Sequence, residues 1–276
     1  MRVLIVGGSS YLGRSLGKKL ADVCQVWGTF FRSAVAFTGE RVHLDVRDRD
    51  GTTEILRRIE PDVIFYLACD FNDIEGSIVI GTDHLLDARE ISCPASRFVY
   101  ISSDAVFDGE SGPYGESDIP RLFWPYGVAK RKAEIKVLAA GGTVVRTSLI
   151  YGFDPIDPRT AVLKRGLETG NFSYPYFSDE IRCPIFVNDL SDALWEIGEG
   201  VLKNKQVINV AGPEALNRFD FAVRLAQYLG YDGSKIPGGL LSESRMKRPR
   251  DLSLDTRLAR RILKTKLRKL EMVIGS

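Results

Sequence analysis

The sequence predicts an α/β protein with a doubly wound parallel sheet and a smaller C-terminal part. Apolar strand-like runs alternate with helical patterns up to about residue 150, and these runs lie at residues 3–6, 26–31, 62–68, 97–102 and 143–150. Such alternation is typical of parallel βαβ units with right-handed crossovers. After residue 150 the strands become short and prolines interrupt the chain. We therefore predict a first domain over residues 1–150 and a second region over 151–276, with a segment near 178–212 returning to the sheet.

A glycine-containing turn follows the first predicted strand at once. Residues 7–13 have the sequence GGSSYLG, and a helical pattern begins after them. Strand, glycine turn and helix in this order form the context of a dinucleotide-binding fingerprint. Gly7 permits the tight turn, Gly13 permits close helix–strand packing, and the helix N-terminus attracts a pyrophosphate. Ser10 stands where a further glycine is usual, and its hydroxyl could bond a phosphate instead.

The ends of the next two predicted strands bear on the choice of cofactor. Residues 25–31 form the second strand and end in Arg32, at the position that reads the adenosine ribose. An acidic residue there would bond the 2′-hydroxyl, whereas Arg32 suits a 2′-phosphate and favours NADPH. The sequence LDVRD at residues 44–48 follows the third strand. An aspartate in it could accept from the adenine amino group or could cap a helix at about residues 50–59.

A serine-tipped strand and a helix start carry three polar side chains that can converge. The apolar run 97–102 reaches the surface at Ser103, and Pro125 favours a helix start that places Tyr126 in the first turn. Lys130 lies four residues further on and shares the face of Tyr126. At such a site Tyr126 can exchange a proton with a carbonyl or alcohol while Ser103 hydrogen-bonds its oxygen. None of the three can carry a hydride, so a redox reaction here needs a cofactor.

The pattern also predicts how the phenol is tuned. A free tyrosine has a pKa of roughly 10, and we expect Lys130 and the helix N-terminus to lower the pKa of Tyr126. The alternative interpretation is a core-facing tyrosine beside a solvated lysine. A second Tyr-x-x-x-Lys match, Tyr231 to Lys235, lies in a glycine-containing stretch without a serine-tipped strand at comparable distance before it. We interpret the second match as a coincidence.

Composition narrows the class of protein. The chain has 276 residues and is 44% hydrophobic, so it can bury a sizeable core. Its formal net charge of +2 gives no strong indication of nucleic-acid binding. Its four cysteines show no CxxC spacing and its two histidines lack partners at ligand spacing, so we expect reduced thiols and no metal site. Because no signal peptide or apolar run of membrane-spanning length is evident, we expect a cytoplasmic protein without a membrane partner.

A basic stretch near the C-terminus is open to two interpretations. Residues 246–250 have the sequence MKRPR, and residues 258–264 form a helix-like basic pattern. The pattern is typical of a solvated amphipathic helix. It also fits a phosphate-binding site for an anionic substrate, with Arg248 or Arg250 as the ligand.

Taken together, these motifs resemble the extended short-chain dehydrogenase/reductase family, in its dTDP-4-dehydrorhamnose reductase branch. The matching segments cover nearly the whole chain in family order: VGGSSYLG, LDVRD, PDVIFYLA, YISSDAVFDG, GPYGESD, PYGVAKRKAE, VVRTSLIYG, CPIFVNDLSDAL, NVAGPEALNRFDFA and RPRDLSLDT. The resemblance implies a Rossmann fold and NADPH-dependent reduction of the C4 keto group of a nucleotide-linked deoxysugar, with Tyr126 as proton donor. It implies a small-molecule substrate, and homodimers are common in the family.

The resemblance also implies a role for each matching residue. Ser103, Tyr126 and Lys130 would be the catalytic triad. The residues that would contact NADP(H) are Gly7, Ser9, Ser10, Tyr11, Leu12, Gly13, Arg32, Asp45, Val46, Leu67, Ala68, Ser102, Tyr126, Lys130 and Ser148. Those that would contact the substrate are Asp104, Ala105, Val106, Leu149 and Arg248. Three positions depart from the family pattern, because Ser10 replaces a glycine, Leu149 a tryptophan and Ile78 an asparagine. The stretch between Ala68 and Gly81 is also shorter than usual.

Two other classes resemble the same sequence. One is a non-catalytic NADP-binding regulator like the regulatory subunit of methionine adenosyltransferase, although the intact set of Ser103, Tyr126 and Lys130 argues against it. The other is a nucleotide-sugar epimerase or dehydratase with resident NAD. A dehydratase needs an additional acid after the catalytic hydroxyl, and here Asp104 follows Ser103 without a glutamate beside it. Arg32 argues against NAD.

Overall fold

The computed structural model describes residues 1–32, 36–121, 124–202, 206–244 and 247–275. The strands in these ranges are β1 (Arg2–Val6), β2 (Gln25–Phe30), β3 (Glu40–His43), β4 (Val63–Tyr66), β5 (Arg97–Ser103), β6 (Thr143–Thr147), β7 (Ile150–Tyr151), β8 (Tyr176–Phe177), β9 (Ile181–Arg182), β10 (Ile185–Phe186), β11 (Val207–Asn209), β12 (Leu216–Asn217) and β13 (Gly238–Gly239). The α-helices are α1 (Tyr11–Leu20), α2 (Arg49–Ile59), α3 (Gly81–Ser92), α4 (Pro125–Ala139), α5 (Pro158–Thr169), α6 (Val187–Glu199), α7 (Arg218–Tyr228), α8 (Arg257–Ile262) and α9 (Leu270–Ile274), and a π-helical segment, Glu75–Ile80, precedes α3.

A seven-stranded parallel sheet forms the centre of the molecule, in the order β11-β6-β5-β4-β1-β2-β3. Strand β1 is central because residues 3–6 are entirely apolar and have no solvent exposure. The order runs outward from β1 in one direction through β2 and β3, and in the other through β4 and β5. This reversal is the mark of a doubly wound sheet, in which ligands bind beyond the carboxyl ends of the strands at the switch point. The predicted fold class is confirmed.

Helices cover both faces of this sheet. On one face α1 and α6 pack through Leu16 and Leu190 against β1 and β5, and on the other α2, α3 and α4 pack through Leu56, Leu85 and Ala133. These five side chains have no solvent exposure. Apolar residues spaced one helical turn apart therefore bury one stripe of each helix against strands that are apolar on both faces.

The predicted strand at residues 143–150 is wrong in extent, because the structure divides it. Strand β6 ends at Thr147, and β7 leaves the central sheet to pair with β10. Between them the Ser148 hydroxyl donates to Asp104 Oδ2 at 2.7 Å and accepts from the Cys183 backbone N–H at 3.2 Å. A polar side chain with two partners outside the sheet therefore interrupts an otherwise strand-like apolar run.

The chain after β7 forms a second set of helices and short strands beside the central sheet, and it also adds one strand to that sheet. Helices α5, α7 and α9 form a separate apolar core around Tyr151, Leu163 and Phe221. Three short strand pairs, β7–β10, β9–β12 and β8–β13, connect the loops on this side. Strand β11 adds to the central sheet beside β6, and α6 packs on α1.

Candidate active site

A cavity of about 680 Å³ lies beyond the carboxyl ends of β1, β4 and β5. Its lining includes Gly7 from the turn after β1, Leu67 after β4 and Ser103 at the end of β5. Arg159 and Arg218, at the starts of α5 and α7, line the opposite side. The cavity therefore lies between the sheet and the C-terminal elements, where a doubly wound fold places its ligand.

The glycine turn between β1 and α1 is packed too closely for side chains. Gly7 has φ of +93°, a left-handed conformation that favours glycine, and a Cβ on Gly8 would lie 2.6 Å from Gly28 Cα. Gly13 lies against the turn itself, where a Cβ would collide with the Gly7 carbonyl oxygen. The Ser10 hydroxyl accepts from the Gly13 N–H at 3.0 Å and so caps α1. This cap satisfies one N–H group of the first turn of α1. A helix N-terminus beside a glycine turn at the cavity fits a pyrophosphate.

Most of the residues that the sequence assigned to the cofactor line this cavity. They are Gly7, Ser9, Ser10, Tyr11, Leu12, Asp45, Val46, Leu67, Ala68, Ser102, Tyr126, Lys130 and Ser148. Gly13 lies behind the turn and shapes it. Arg32 follows β2 next to Phe31, which lines the cavity, and its Nη1 lies 2.8 Å from Asp70 Oδ2.

The two open interpretations of the LDVRD segment fall on different aspartates. Asp48 caps α2 by accepting from the Gly51 N–H at 3.0 Å. Asp45 lines the cavity, and Arg47 forks onto its carboxylate with Nε at 2.8 Å and Nη2 at 2.6 Å. The hydrogen bonds from Arg47 lower the pKa of Asp45. Capping is therefore the role of Asp48, which leaves Asp45 available to the cavity.

Ser103 ends β5 and points its hydroxyl into a small polar network. The hydroxyl donates to Asp104 Oδ1 at 3.0 Å and accepts from the Ala105 N–H at 3.2 Å. The Asp104 carboxyl also accepts from the Ser148 hydroxyl. Burial raises the pKa of Asp104, an effect that the arginine Arg182 and these serine hydrogen bonds partly offset. Asp104, Ala105 and Leu149, all assigned to the substrate, line the cavity here.

Helix α4 brings Tyr126 and Lys130 to the same cavity. Its first residue is Pro125, which leaves Tyr126 in the first turn. The Lys130 ammonium is buried, donates to the Ile101 carbonyl at 2.8 Å, and lies 5.7 Å from the centre of the Tyr126 ring. The Phe71 ring packs on Tyr126 from the solvent side, with 5.3 Å between ring centres. Ser103, Tyr126 and Lys130 thus line one cavity, as their spacing predicts.

The expected lowering of the phenol's pKa is wrong for this structure. Burial raises the pKa of Tyr126, and the nearby Cys69 and Asp104 raise it further, while a hydrogen bond with Ser103 acts in the opposite direction. Burial also lowers the pKa of Lys130 to about 8. Desolvation disfavours the charged form of each group and is the largest cause of both shifts. The phenol is therefore held neutral, which is the form that donates a proton.

One substrate assignment is also wrong. The Val106 side chain has no solvent exposure and packs in a small core with Phe107, Tyr114 and Leu252, so it does not face the cavity. A short helical turn over Asp104–Val106 rotates Val106 inward while Asp104 and Ala105 reach the cavity. The assignment of Val106 came from the family resemblance, and residue spacing alone shows no sign of this turn.

Sequence reasoning missed a buried ion pair directly behind the site. Glu134, on α4, is fully buried and accepts from Arg146 Nε and Nη2 of β6, both at 2.9 Å. It also accepts from the Ser102 hydroxyl at 2.7 Å and from Arg131 at 3.0 Å. The available signal was the position of Glu134, four residues after Lys130 on the buried face of α4.

Sequence reasoning also missed most of a basic wall on the far side of the cavity. Four arginines line it, namely Arg159, Arg182, Arg218 and Arg248, together with the single carboxylate of Glu180. Arg248 donates two hydrogen bonds of 3.0 Å to the Glu180 carboxylate, and Arg182 Nη2 lies 3.1 Å from the same carboxylate. Arg218 is only 9% exposed, and within the described ranges its guanidinium has no hydrogen bond or ion pair. Of the two arginines that the sequence proposed, Arg248 reaches the cavity and Arg250 is exposed elsewhere.

The described residues include neither a candidate metal-binding cluster nor a candidate membrane-spanning helix. No group of three or more histidine, cysteine, aspartate or glutamate side chains is arranged there to hold a metal ion. No helix in the same ranges has the length and apolar character needed to cross a membrane.

The doubly wound sheet, the glycine turn and the Ser103–Tyr126–Lys130 arrangement define an extended short-chain dehydrogenase/reductase fold. The chain belongs to the RmlD substrate-binding domain family, whose pattern matches residues 1–275. A dTDP-4-dehydrorhamnose reductase of Aggregatibacter actinomycetemcomitans is 26% identical over 238 residues, which cover 81% of this chain and 78% of the relative. The methionine adenosyltransferase 2 subunit beta of Mus musculus is 26% identical over 260 residues, covering 85% and 74%.

Solved structures share the same architecture. A hypothetical dTDP-4-dehydrorhamnose reductase from Sulfolobus tokodaii superimposes with a TM-score of 0.83 and 28% identity, covering 99% of both chains. A dTDP-4-dehydrorhamnose reductase from Bacillus anthracis, in complex with NADP, gives a TM-score of 0.82 and 19% identity over 99% of this chain and 97% of the other. The resemblance stated from the sequence motifs is confirmed at the level of family and fold.

Proposed function

We propose that the protein uses NADPH to reduce the 4-keto group of a nucleotide-linked deoxysugar, with Tyr126 as proton donor. The observation that carries this proposal is that one cavity holds both the glycine turn and the side chains of Ser103, Tyr126 and Lys130. A dinucleotide bound to that turn would extend along the carboxyl ends of the strands toward β5. Cofactor and proton donor would then meet at the same carbonyl.

The residues of the cavity fit a nicotinamide dinucleotide. The turn at Gly7 and the first turn of α1 would hold the pyrophosphate, Asp45 would lie at the adenine end, and Arg32 would contact a 2′-phosphate. When bound, the cofactor supplies the hydride that none of the side chains can carry. The NADP complex of the Bacillus anthracis reductase supports this choice of cofactor.

The three polar side chains have distinct tasks at the keto oxygen. Tyr126, held neutral by burial, donates the proton to that oxygen. The Ser103 hydroxyl is held by Asp104 and hydrogen-bonds the same oxygen. Lys130 lies beneath Tyr126, and its ammonium stabilises the phenolate that remains after the proton has left. Return of a proton to that phenolate completes the cycle.

The basic wall supports an anionic substrate. Four arginines against one glutamate leave a net positive charge of three on this wall. Arg218 is buried there without an ion pair among the described residues, and such a charge is costly unless an anionic ligand completes it. A nucleoside diphosphate carries the negative charge and the oxygen acceptors that such a wall binds. The Aggregatibacter relative, named dTDP-4-dehydrorhamnose reductase, supports a dTDP-linked sugar.

A second candidate is a regulatory subunit that binds NADP without turnover. The beta subunit of methionine adenosyltransferase 2 is as similar to this chain as the reductase is, at 26% identity. The three polar side chains favour the reductase, because a binding module has no need of a buried phenol and ammonium at its cofactor site. An epimerase or dehydratase is less well supported, since Asp104 is followed by Ala105 rather than by a second acid.

Titration of the pure protein with NADPH and NADH, followed by turnover assays, tests the proposal. We expect tight binding of NADPH, weaker binding of NADH, and a loss of nicotinamide absorbance when a dTDP-4-keto-6-deoxysugar is added. Equal affinity for both cofactors would contradict the assignment of Arg32. Binding of NADPH without turnover of the sugar would contradict the reductase and favour the regulatory subunit, for which a pull-down with methionine adenosyltransferase is the next experiment.

A further inference from the structure

Two arginines share one aromatic ring at the adenine end of the cavity. The guanidinium carbon of Arg32 lies 5.3 Å from the centre of the Phe31 ring, and that of Arg47 lies 5.0 Å from the same point. Phe31 and Arg47 both line the cavity. Cation–π contacts with one ring therefore keep two positive charges close together beside the position expected for the adenosine ribose.

Each of these arginines is paired with an aspartate from the segment that follows β4. Arg32 Nη1 lies 2.8 Å from Asp70 Oδ2, and Arg47 Nη1 lies 2.8 Å from Asp73 Oδ2. The two aspartates are three residues apart, and local backbone bonds hold both, since Asp70 accepts from the Asn72 N–H and Asp73 from the Gly76 N–H. The segment therefore places two carboxylates directly on the two guanidinium groups.

These pairs are suited to being displaced. The four side chains are between 24% and 56% exposed, so each pair contributes little to stability. A phosphate monoester carries a charge between −1.5 and −2 near pH 7 and offers three strong acceptor oxygens, more than either carboxylate. Arg47 has further donors that fork onto Asp45, so its side chain stays anchored when Asp73 is replaced.

We propose that Arg47 joins Arg32 in binding the ribose 2′-phosphate of the cofactor, and that Asp70 and Asp73 occupy both guanidinium groups until this phosphate displaces them. The inference rests on the proposed use of NADPH and adds a second specificity-determining cation and two competing carboxylates. A cofactor with a free 2′-hydroxyl cannot displace the carboxylates and gains nothing from the arginines. The aspartates therefore lower the affinity for the 2′-phosphate and moderate the selectivity that the arginines provide.

Binding of two nucleotide fragments to the full chain tests this inference. Calorimetry with 2′,5′-ADP and 5′-ADP isolates the effect of the 2′-phosphate from the nicotinamide half of the cofactor. We expect Arg47→Ala to weaken 2′,5′-ADP about tenfold and to change 5′-ADP less than twofold. We expect Asp70→Asn and Asp73→Asn each to tighten 2′,5′-ADP severalfold, because asparagine keeps the local backbone hydrogen bonds and removes the competing charge.

Arg49→Ala is the matched control. Arg49 is the first residue of α2, two residues after Arg47, and it makes an exposed ion pair with Asp87. We expect this variant to bind both fragments like the parent protein. Equal effects of Arg47→Ala on the two fragments, or no effect of either asparagine substitution, would overturn the inference while NADPH binding stood. A parent protein that binds neither fragment would instead overturn the proposed function, and the inference with it.

Discussion

Burial sets the protonation of the two central side chains of the site. The Tyr126 phenol and the Lys130 ammonium both leave water when α4 packs on the sheet, and desolvation raises the pKa of the first and lowers that of the second. Each side chain is thereby held closer to its neutral form. The sequence places the pair on one helix face but contains no measure of desolvation, so it predicted the direction of the tyrosine shift wrongly.

Tyr126→Phe tests the role of the phenol. We expect kcat to fall by about 10²- to 10⁴-fold, as is typical for the loss of a general acid, with NADPH affinity nearly unchanged. Nicotinamide absorbance measures turnover, and fluorescence titration measures binding. Tyr231→Phe is the control, because Tyr231 belongs to the second Tyr-x-x-x-Lys match and donates to Glu168 on the surface. Turnover retained in the Tyr126 variant would contradict the proton-donor role.

The buried Lys130 predicts an unusual dependence of stability on pH. Its folded-state pKa of about 8 lies below the unfolded value of 10.5, so the unfolded chain binds more protons between these values. The free energy of unfolding therefore gains a contribution from Lys130 that rises from about pH 8 to about pH 10.5 and totals about 3 kcal/mol. Lys130→Met removes this contribution.

Urea denaturation of the cofactor-free parent and the Lys130→Met variant at pH 7 and pH 10 measures this contribution. The difference between the two proteins isolates Lys130 from the tyrosines and cysteines that titrate in the same range. We expect the stability advantage of the methionine variant to shrink as the pH rises. An advantage independent of pH would mean that the ammonium does not titrate in this window.

At the scale of secondary structure, one carboxylate holds three elements together behind the site. Glu134 on α4 bonds Arg146 on β6 and Ser102 on β5, so it fixes the helix that carries Tyr126 against the strand that carries Ser103. We expect Glu134→Gln to cost about 3–5 kcal/mol, because it leaves a buried guanidinium uncompensated. We expect the double variant Glu134→Leu, Arg146→Met to recover most of that loss.

Urea denaturation of Glu134→Gln, of the single variants Glu134→Leu and Arg146→Met, and of the double variant provides this comparison. Costs that simply add in the double variant would show that the two charges are not coupled. Turnover provides the second readout, since a displaced Ser103 lowers kcat even where stability recovers.

Two aspartates that precede α2 have different roles, which the sequence could not distinguish. We expect Asp48→Ala to cost about 1 kcal/mol of stability through loss of the N-cap, and to leave NADPH affinity unchanged. We expect Asp45→Ala to weaken NADPH binding with a smaller effect on stability, because it loses a partner of Arg47 at the cavity. Thermal unfolding and cofactor titration of both variants measure the two effects. The reverse outcome would exchange the two roles.

Local sequence determines some features of the fold and site, and contacts between distant residues determine others. The glycine turn and the placement of Tyr126 depend on local chemistry, glycine conformation and a proline at a helix start, so the sequence predicted them. The orientation of Val106 and the position where β6 ends depend on contacts between residues that are far apart in the sequence. For β6, these contacts are the hydrogen bonds of Ser148 with Asp104 and Cys183. The basic wall joins residues up to 89 positions apart, from Arg159 to Arg248, and no spacing rule connects them.

At the scale of the whole molecule, the cavity joins the sheet to the C-terminal elements, and its ligand should stabilise that junction. Arg218 begins α7 and brings a buried guanidinium without an ion pair among the described residues to the cavity wall, and burial lowers its pKa. An uncompensated buried charge destabilises the empty protein until an anion binds. Function at this wall therefore carries a stability cost.

Arg218→Met should raise the stability of the empty protein and weaken ligand binding. We expect the empty variant to be more stable than the parent by on the order of 1 kcal/mol, since an apolar side chain of similar length replaces a desolvated charge. We expect dTDP at 100 times the parent's Kd to stabilise the parent by about 2.7 kcal/mol and the variant far less. Arg224→Met on the same helix removes only a partly buried pair with Glu214, away from the cavity lining, and should bind dTDP like the parent. Unfolding of the three proteins in urea, with and without dTDP, measures these effects. Equal ligand-induced stabilisation in the Arg218 variant would place the diphosphate elsewhere.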